Sequence, residues 1–135
     1  MSKARSTKRW LVDGMNVIGT RPDRWWNDPD RAVRRMTDLL DEFASATGDD
    51  VTVVYDKKTS GLDPEHVKVA FARWKGRNAA DHEIEEMVAA DADPGNLLVV
   101  TSDRRLAEHV TDSGALVVSS GRFRKQVDSA TGRSG

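Results

Sequence analysis

A chain of 135 residues with 38% hydrophobic and 32% charged side chains has the size and make-up of one domain around one core. Its 21 Lys+Arg nearly balance 22 Asp+Glu, so the chain is too apolar for a disordered segment and too charged for a membrane protein. No uncharged stretch is long enough for a membrane span or signal peptide. With no Cys there is no disulfide framework, no thiol nucleophile and no Cys-ligated zinc. The expectation is a cytoplasmic globular domain with no membrane partner.

The charge is unevenly spread. Lys3, Arg5, Lys8 and Arg9 stand at the start without an acid, and Arg122, Arg124, Lys125 and Arg133 face only Asp128 near the end. The body between them is acidic, a pattern compatible with a central cation and with basic ends that touch phosphates. Residues 1–8 are assigned as a basic tail, 9–123 as the domain and 124–135 as a flexible, Ser/Gly-rich tail.

In chain order, Trp10-Leu11-Val12 reads as a buried strand stopped by the turn pair Asp13-Gly14. Asp28-Pro29 offers an N-cap with Pro at the first helical position, and Val33, Met36, Leu39, Leu40 and Phe43 follow at helical spacing up to Gly48. Val51 to Tyr55 is a β-branched second strand ending at Asp56, and Val67, Val69 and Phe71 mark a third. A helix is predicted over Ala79–Ala90 with Ile84, Met87 and Val88 inward. Leu97 to Val100 is an apolar strand, Asp103 to Val110 a helix, and Ala115 to Val118 a last strand. The order β-α-β-β-α-β-α-β with uninterrupted apolar strands predicts a three-layer α/β/α sandwich around a mostly parallel sheet.

In such a sheet, ligands bind outside the carboxyl ends of the strands. Asp13, Asp56 and Asp103 each follow a strand, while Asp81 opens a helix and Glu85 shares its face four residues on. Each has an ordinary explanation alone: an N-cap at Asp103, a turn pair at Asp13, a loop start at Asp56, the helix macrodipole at Asp81. Together they would repel by kilocalories unless a hard divalent cation offsets them. Mg²⁺ or Mn²⁺ suits carboxylate oxygens and would activate a water against a phosphoryl group. Asn16, one turn past Asp13, could orient that water or a phosphate. His66, His82 and His109 show no metal spacing and read as surface or packing residues. Arg73-Trp74-Lys75-Gly76-Arg77 has the composition of a strip that grips a phosphate backbone and stacks a base, or of a solvated loop. Trp25-Trp26 is read as closing one end of the core in preference to stacking bases.

The segments Leu11-Val-Asp-Gly-Met-Asn-Val-Ile18, Val53-Val-Tyr-Asp56, Ala79-Ala-Asp-His-Glu-Ile-Glu85 and Val99-Val-Thr-Ser-Asp103, with Gly114-Ala115, resemble NYN domains of the PIN-like nuclease superfamily, in the YacP-like branch. The resemblance runs in order over residues 9 to 123. It implies a PIN-like α/β/α fold and metal-dependent cleavage of RNA. By position it makes Asp13, Asp81 and Asp103 the metal-binding catalytic acids and Asn16 the active-site amide, with Asp56 and Glu85 as further metal ligands. Arg73, Lys75, Arg77, Ser102 and Arg104 are the expected RNA contacts. Met15 stands where many relatives carry an aromatic side chain.

Two rivals fail on residues. A receiver-type signalling domain wants adjacent acids after its first strand, but Val12 precedes Asp13, and Ser119-Ser120-Gly121 stands where it needs Lys. An Asp-x-Asp phosphatase finds Met15 at its second position. A non-catalytic RNA-binding module and a hydrolase of small phosphate esters stay open as alternatives, as do a homodimer and a protein partner that delivers RNA.

Overall fold

The computed structural model describes residues 7–21, 24–76 and 78–132. Most of the basic tail expected over 1–8 therefore lies outside the described residues, as does Arg77. Among those described, five strands form one sheet and five α-helices cover it. The strands are β1 (Arg9–Asp13), β2 (Asp50–Tyr55), β3 (Lys68–Phe71), β4 (Leu97–Val100) and β5 (Leu116–Val118). They lie in the order β3-β2-β1-β4-β5 and every pairing is parallel. The helices are α1 (Gly14–Ile18), α2 (Pro29–Thr47), α3 (Ala79–Ala90), α4 (Arg104–Asp112) and α5 (Ser120–Ala130).

The continuous apolar runs of the strands follow from burial on both faces. Val12, Val53, Val54, Val99 and Val100 are all fully buried. One face carries α1, α2 and α5 over a core in which Trp10 packs against Phe43 and Phe123, with ring centroids 5.9 and 5.0 Å away. The other carries α3 and α4, whose Ile84, Val88, Leu106 and Val110 cover Leu11, Val54 and Val99. The α/β/α sandwich expected from the alternation of strands and helices is the architecture found, with the sheet parallel throughout.

The long helix α2 obeys its local signals. The Asp28 side chain accepts from the Arg31 N–H at 3.2 Å, Pro29 occupies the first turn, and Gly48 ends the helix at φ +75°. The Asp13-Gly14 pair behaves differently from a simple turn, because helix α1 starts at Gly14 itself. Glycine is required there by crowding: a Cβ would sit 2.5 Å from Cε1 of Tyr55, a ring that is fully buried. The ring is also tethered, its hydroxyl lying 2.8 Å from Thr37 Oγ1. Gly14→Ala is therefore expected to destabilise the fold by about 1–3 kcal/mol, the usual cost of overpacking a core. Urea unfolding checks this, and an unchanged midpoint would mean that the ring yields freely.

The C-terminal assignment is corrected. Residues 124–130 are not a flexible tail but the body of α5, which begins under an N-cap in which Ser119 accepts from the Arg122 N–H. Phe123 and Val127 are fully buried in the core under α2. Only two apolar side chains at helical spacing, set among Arg122, Arg124, Lys125 and Asp128, announced this helix in the sequence. Trp25 and Trp26 part company: Trp25 packs on the core, while Trp26 is 59% exposed.

From β1 the chain crosses to β2 and then β3 on one side, and after α3 it returns to β4 on the other side of β1. The strand order thus reverses between β1 and β4. At that point neighbouring loops leave in opposite directions and open a crevice at the carboxyl edge.

Candidate active site

Asp13 is the last residue of β1 and is 5% exposed at the floor of the β1–β4 crevice. The Thr101 hydroxyl, just past β4, donates to Asp13 Oδ2 at 2.9 Å and accepts from the Asp103 N–H at 3.1 Å. One buried hydroxyl thereby fixes the first acid and the start of α4 together. Asp103 caps α4, its Oδ1 accepting from the Leu106 N–H at 3.0 Å.

Asn16, in α1, is tied down through its oxygen. Its Oδ1 accepts from the Ser102 N–H at 2.9 Å and from the Ser120 hydroxyl. Ser102 Oγ in turn accepts from the Ser120 N–H at 2.9 Å. The arrangement joins α1, the loop after β4 and the start of α5, and it orients the Asn16 amide with its NH₂ end left to donate. Across the crevice, Asp56 Oδ1 accepts from the Ala80 N–H at 3.3 Å and so holds the first turn of α3, which carries Asp81.

The electrostatics show that these acids share one field. Burial pushes the Asp13 carboxyl up to about 7; the Thr101 hydrogen bond opposes this, while Asp81, Asp56 and Asp103 add to it. Asp81 is pushed up to about 6, first by burial and then by Asp103, Asp56 and Glu85, with Arg105 pulling the other way. Five carboxylates from four different segments therefore act on one another. Among the described residues no three of these side chains are already drawn together as a metal cage. As they stand, Asp13, Asp56 and Asp103 turn instead to hydroxyl and N–H donors of the chain, and Glu85 lies 3.5 Å from His109 Nδ1. The donor set nevertheless suits a hard divalent ion: it consists of carboxylates, two of which burial and the neighbouring acids push upward.

The expected RNA contacts fare unevenly. Arg73 is engaged within the fold: its Nε and backbone N–H both reach Glu83 Oε1 at 3.0 and 3.1 Å, and Nη2 reaches Glu86 at 3.2 Å. Its guanidinium also lies over Trp74, whose ring packs on His82 at 4.5 Å. These contacts bind the loop to α3, so Arg73 acts first as a brace for the helix bearing Asp81. Lys75 is exposed beside it. Ser102 and Arg104 are both exposed at the start of α4, flanking Asp103.

Sequence reasoning missed three participants. Ser120 is fully buried and anchors Asn16; its signal was a polar pair, Ser119-Ser120, directly after an apolar strand. Arg105, rather than Arg104, is the cation felt at Asp81. Glu83 is 7% exposed and held below the ordinary Glu range by Arg73, whose hydrogen bonds outweigh its burial. Its position on a charged helix gave no sign of that.

Fold and site together define an α/β domain with an acidic centre at the carboxyl edge of a parallel sheet. The family model for the YacP-like NYN domain matches residues 10–134, and the chain belongs to this family of nuclease-type domains. Such domains generally use divalent metal ions. Two crystal structures, of Rae1 (YacP) from Bacillus subtilis and of a point mutant of it, are similar at TM-scores of 0.74 and 0.73. Each is 27% identical to this chain and covers 92% of it, and the match spans 75% and 77% of those chains. No curated protein sequence gave a match.

Proposed function

We propose that this domain is a metal-dependent ribonuclease that hydrolyses RNA phosphodiester bonds at the crevice between β1 and β4, acting in the cytoplasm. The observation that carries this reading is the placement of Asp13, Asp56 and Asp103 at the carboxyl ends of neighbouring parallel strands, with Thr101 bonded to both Asp13 and Asp103 and Asp56 holding the helix turn that bears Asp81. Several carboxylates gathered at one edge and raised by burial and by one another are the pattern of a functional site more than of packing.

Asp13, Asp81 and Asp103 would hold Mg²⁺ or Mn²⁺, with Asp56 and Glu85 behind them. When bound, the ion supplies Lewis-acid polarisation of a phosphoryl oxygen and a water acidic enough to act as nucleophile. The chain's own groups do the positioning. Thr101 keeps Asp13 fixed, so the buried acid loses no freedom on binding. Asn16, anchored through its oxygen by Ser102 and Ser120, presents its NH₂ group to a phosphate oxygen or a water. Ser102 and Arg104 stand at the start of α4, where backbone N–H groups and a cation both favour a phosphate. Arg105 lies near Asp81 and tempers the anionic field through which the substrate must approach.

The test is incubation of end-labelled single-stranded and structured RNA with the protein, with Mn²⁺ or with EDTA. Cleavage with Mn²⁺ alone is expected. RNA that is retarded in a gel but stays intact under both conditions would overturn the catalytic reading and make the chain an RNA-binding module.

A further inference from the structure

The acidic centre explains where a phosphodiester is cut but not what holds the rest of a polyanion against a domain of net charge −1. A groove of about 700 Å³ lies on the α1, α2 and α5 face, roofed by the 3-10 turn at Trp25–Asn27. Its lining includes Arg24, Trp25, Arg31, Arg35 and Arg124, against the acids Asp28 and Asp38. Asp28 is already used in capping α2.

Of the arginines lining this groove, Arg124 lies 3.5 Å from Asp128. Arg9 is paired with Asp91, Arg21 with Asp128, and Arg73 with Glu83 and Glu86. Among the described residues, the side chains of Arg24, Arg31 and Arg35 make no ion pair or hydrogen bond. Arg24 is moreover held in the left-handed region at φ +57°, a costly conformation for a residue with a Cβ. The half-buried Trp25 meets Trp26 edge to face at 6.2 Å, and the Trp26 ring is open to solvent at the rim.

The groove borders the helix that carries Asn16, since Ile18, the last residue of α1, lines it. Helix α2 begins, like α5, on the carboxyl side of the sheet, where the acids stand. Guanidinium groups near an exposed aromatic ring are the combination that follows a phosphate backbone while a base stacks.

We propose that the groove between α2 and α5 is the docking track for single-stranded RNA flanking the cleaved bond, with Arg24, Arg31 and Arg35 on the phosphates and Trp26 beneath a base. This rests on the ribonuclease reading and names the surface that supplies its affinity. An acidic peptide would be drawn by the same cations, but it has no base to place on the tryptophans.

The experiment is a fluorescence-anisotropy titration of labelled oligouridylate in EDTA, over a range of salt, with wild type and the double variant R31Q/R35Q. Both side chains are exposed on α2, and a circular dichroism melt establishes that the variant folds. A rise in Kd of about tenfold or more is expected, with the slope of log Kd against log salt shallower by about 1.4, the value for two lost contacts to a single strand. W26A is expected to weaken binding with the slope unchanged, because stacking releases no counterions.

Equal Kd and slope in wild type and R31Q/R35Q would overturn the groove. So would polyglutamate competing as well as oligouridylate does, with W26A inert. Failure of the ribonuclease reading shows elsewhere, as absence of Mn²⁺-dependent cleavage by the wild type, so the two failures are told apart.

Discussion

Asp81→Asn is expected to lower Mn²⁺-dependent RNA cleavage by about 10³-fold or more, while RNA binding in EDTA stays equal or tightens. Loss of about 4 kcal/mol of transition-state stabilisation corresponds to that factor, the size expected for removing a carboxylate in the metal-holding role proposed for Asp81. Asp81 is half-exposed in the first turn of α3, and among the described residues its side chain makes no hydrogen bond, while Asp56 holds that turn through the Ala80 N–H. The substitution should therefore leave the fold intact and remove one negative charge from the path of a polyanion. Single-turnover cleavage beside a binding titration separates the two effects. Cleavage that survives in Asp81→Asn would remove this acid from the centre.

The second large effect is on stability. The Asp13 carboxyl rises from an ordinary 3.8 to about 7 in the folded chain, mainly through burial. Between those values the folded chain keeps a proton that the unfolded chain has released, so stability falls as pH rises through this window. Below it both states are protonated and nothing is lost. Above about 7 the metal-free fold bears the whole penalty of a buried, repelled carboxylate, a ceiling of about 4 kcal/mol for a shift of this size.

Asp13→Asn keeps an oxygen for the Thr101 hydroxyl and deletes the charge. In EDTA at pH 8 it is expected to be more stable than wild type by about 2–4 kcal/mol, and at pH 4 by little. Mn²⁺ should raise the melting temperature of the wild type at pH 8 and raise that of Asp13→Asn by less, because the variant has lost the buried carboxylate that gains most from the cation. Urea unfolding at the two pH values decides it. A variant less stable than wild type at pH 8 would mean that the carboxylate is satisfied as an anion and the strain is absent.

Much of the candidate site's placement was legible because its acids stand at strand ends. Asp13, Asp56 and Asp103 each follow an apolar run, and in a parallel sheet all such positions share one edge. Asp81 and Glu85 were legible through their four-residue spacing on a helix. The supporting hydroxyls were harder to read. Ser120 and Thr101 act through single hydrogen bonds across 104 and 88 positions of sequence, and no local pattern marks which of many serines and threonines will be buried beside an amide or an acid. Arg73 itself was hard to read for a related reason. Its segment has the composition of an RNA grip, but its partners Glu83 and Glu86 lie within reach only once α3 packs behind the loop.

By itself the sequence determined what local physics controls. Alternating apolar runs and amphipathic segments set the α/β/α layers, Asp28-Pro29 and Gly48 bounded α2, and acids following strands placed an anionic edge. Only the tertiary structure decided the strand order that sets Asp13 beside Thr101 and joins Asn16 to Ser120, because pairing between distant segments is fixed by packing over the whole sheet. The same holds for α5, whose two buried side chains, Phe123 and Val127, become a helix only against the core that receives them, since so short a segment is marginal without tertiary contacts.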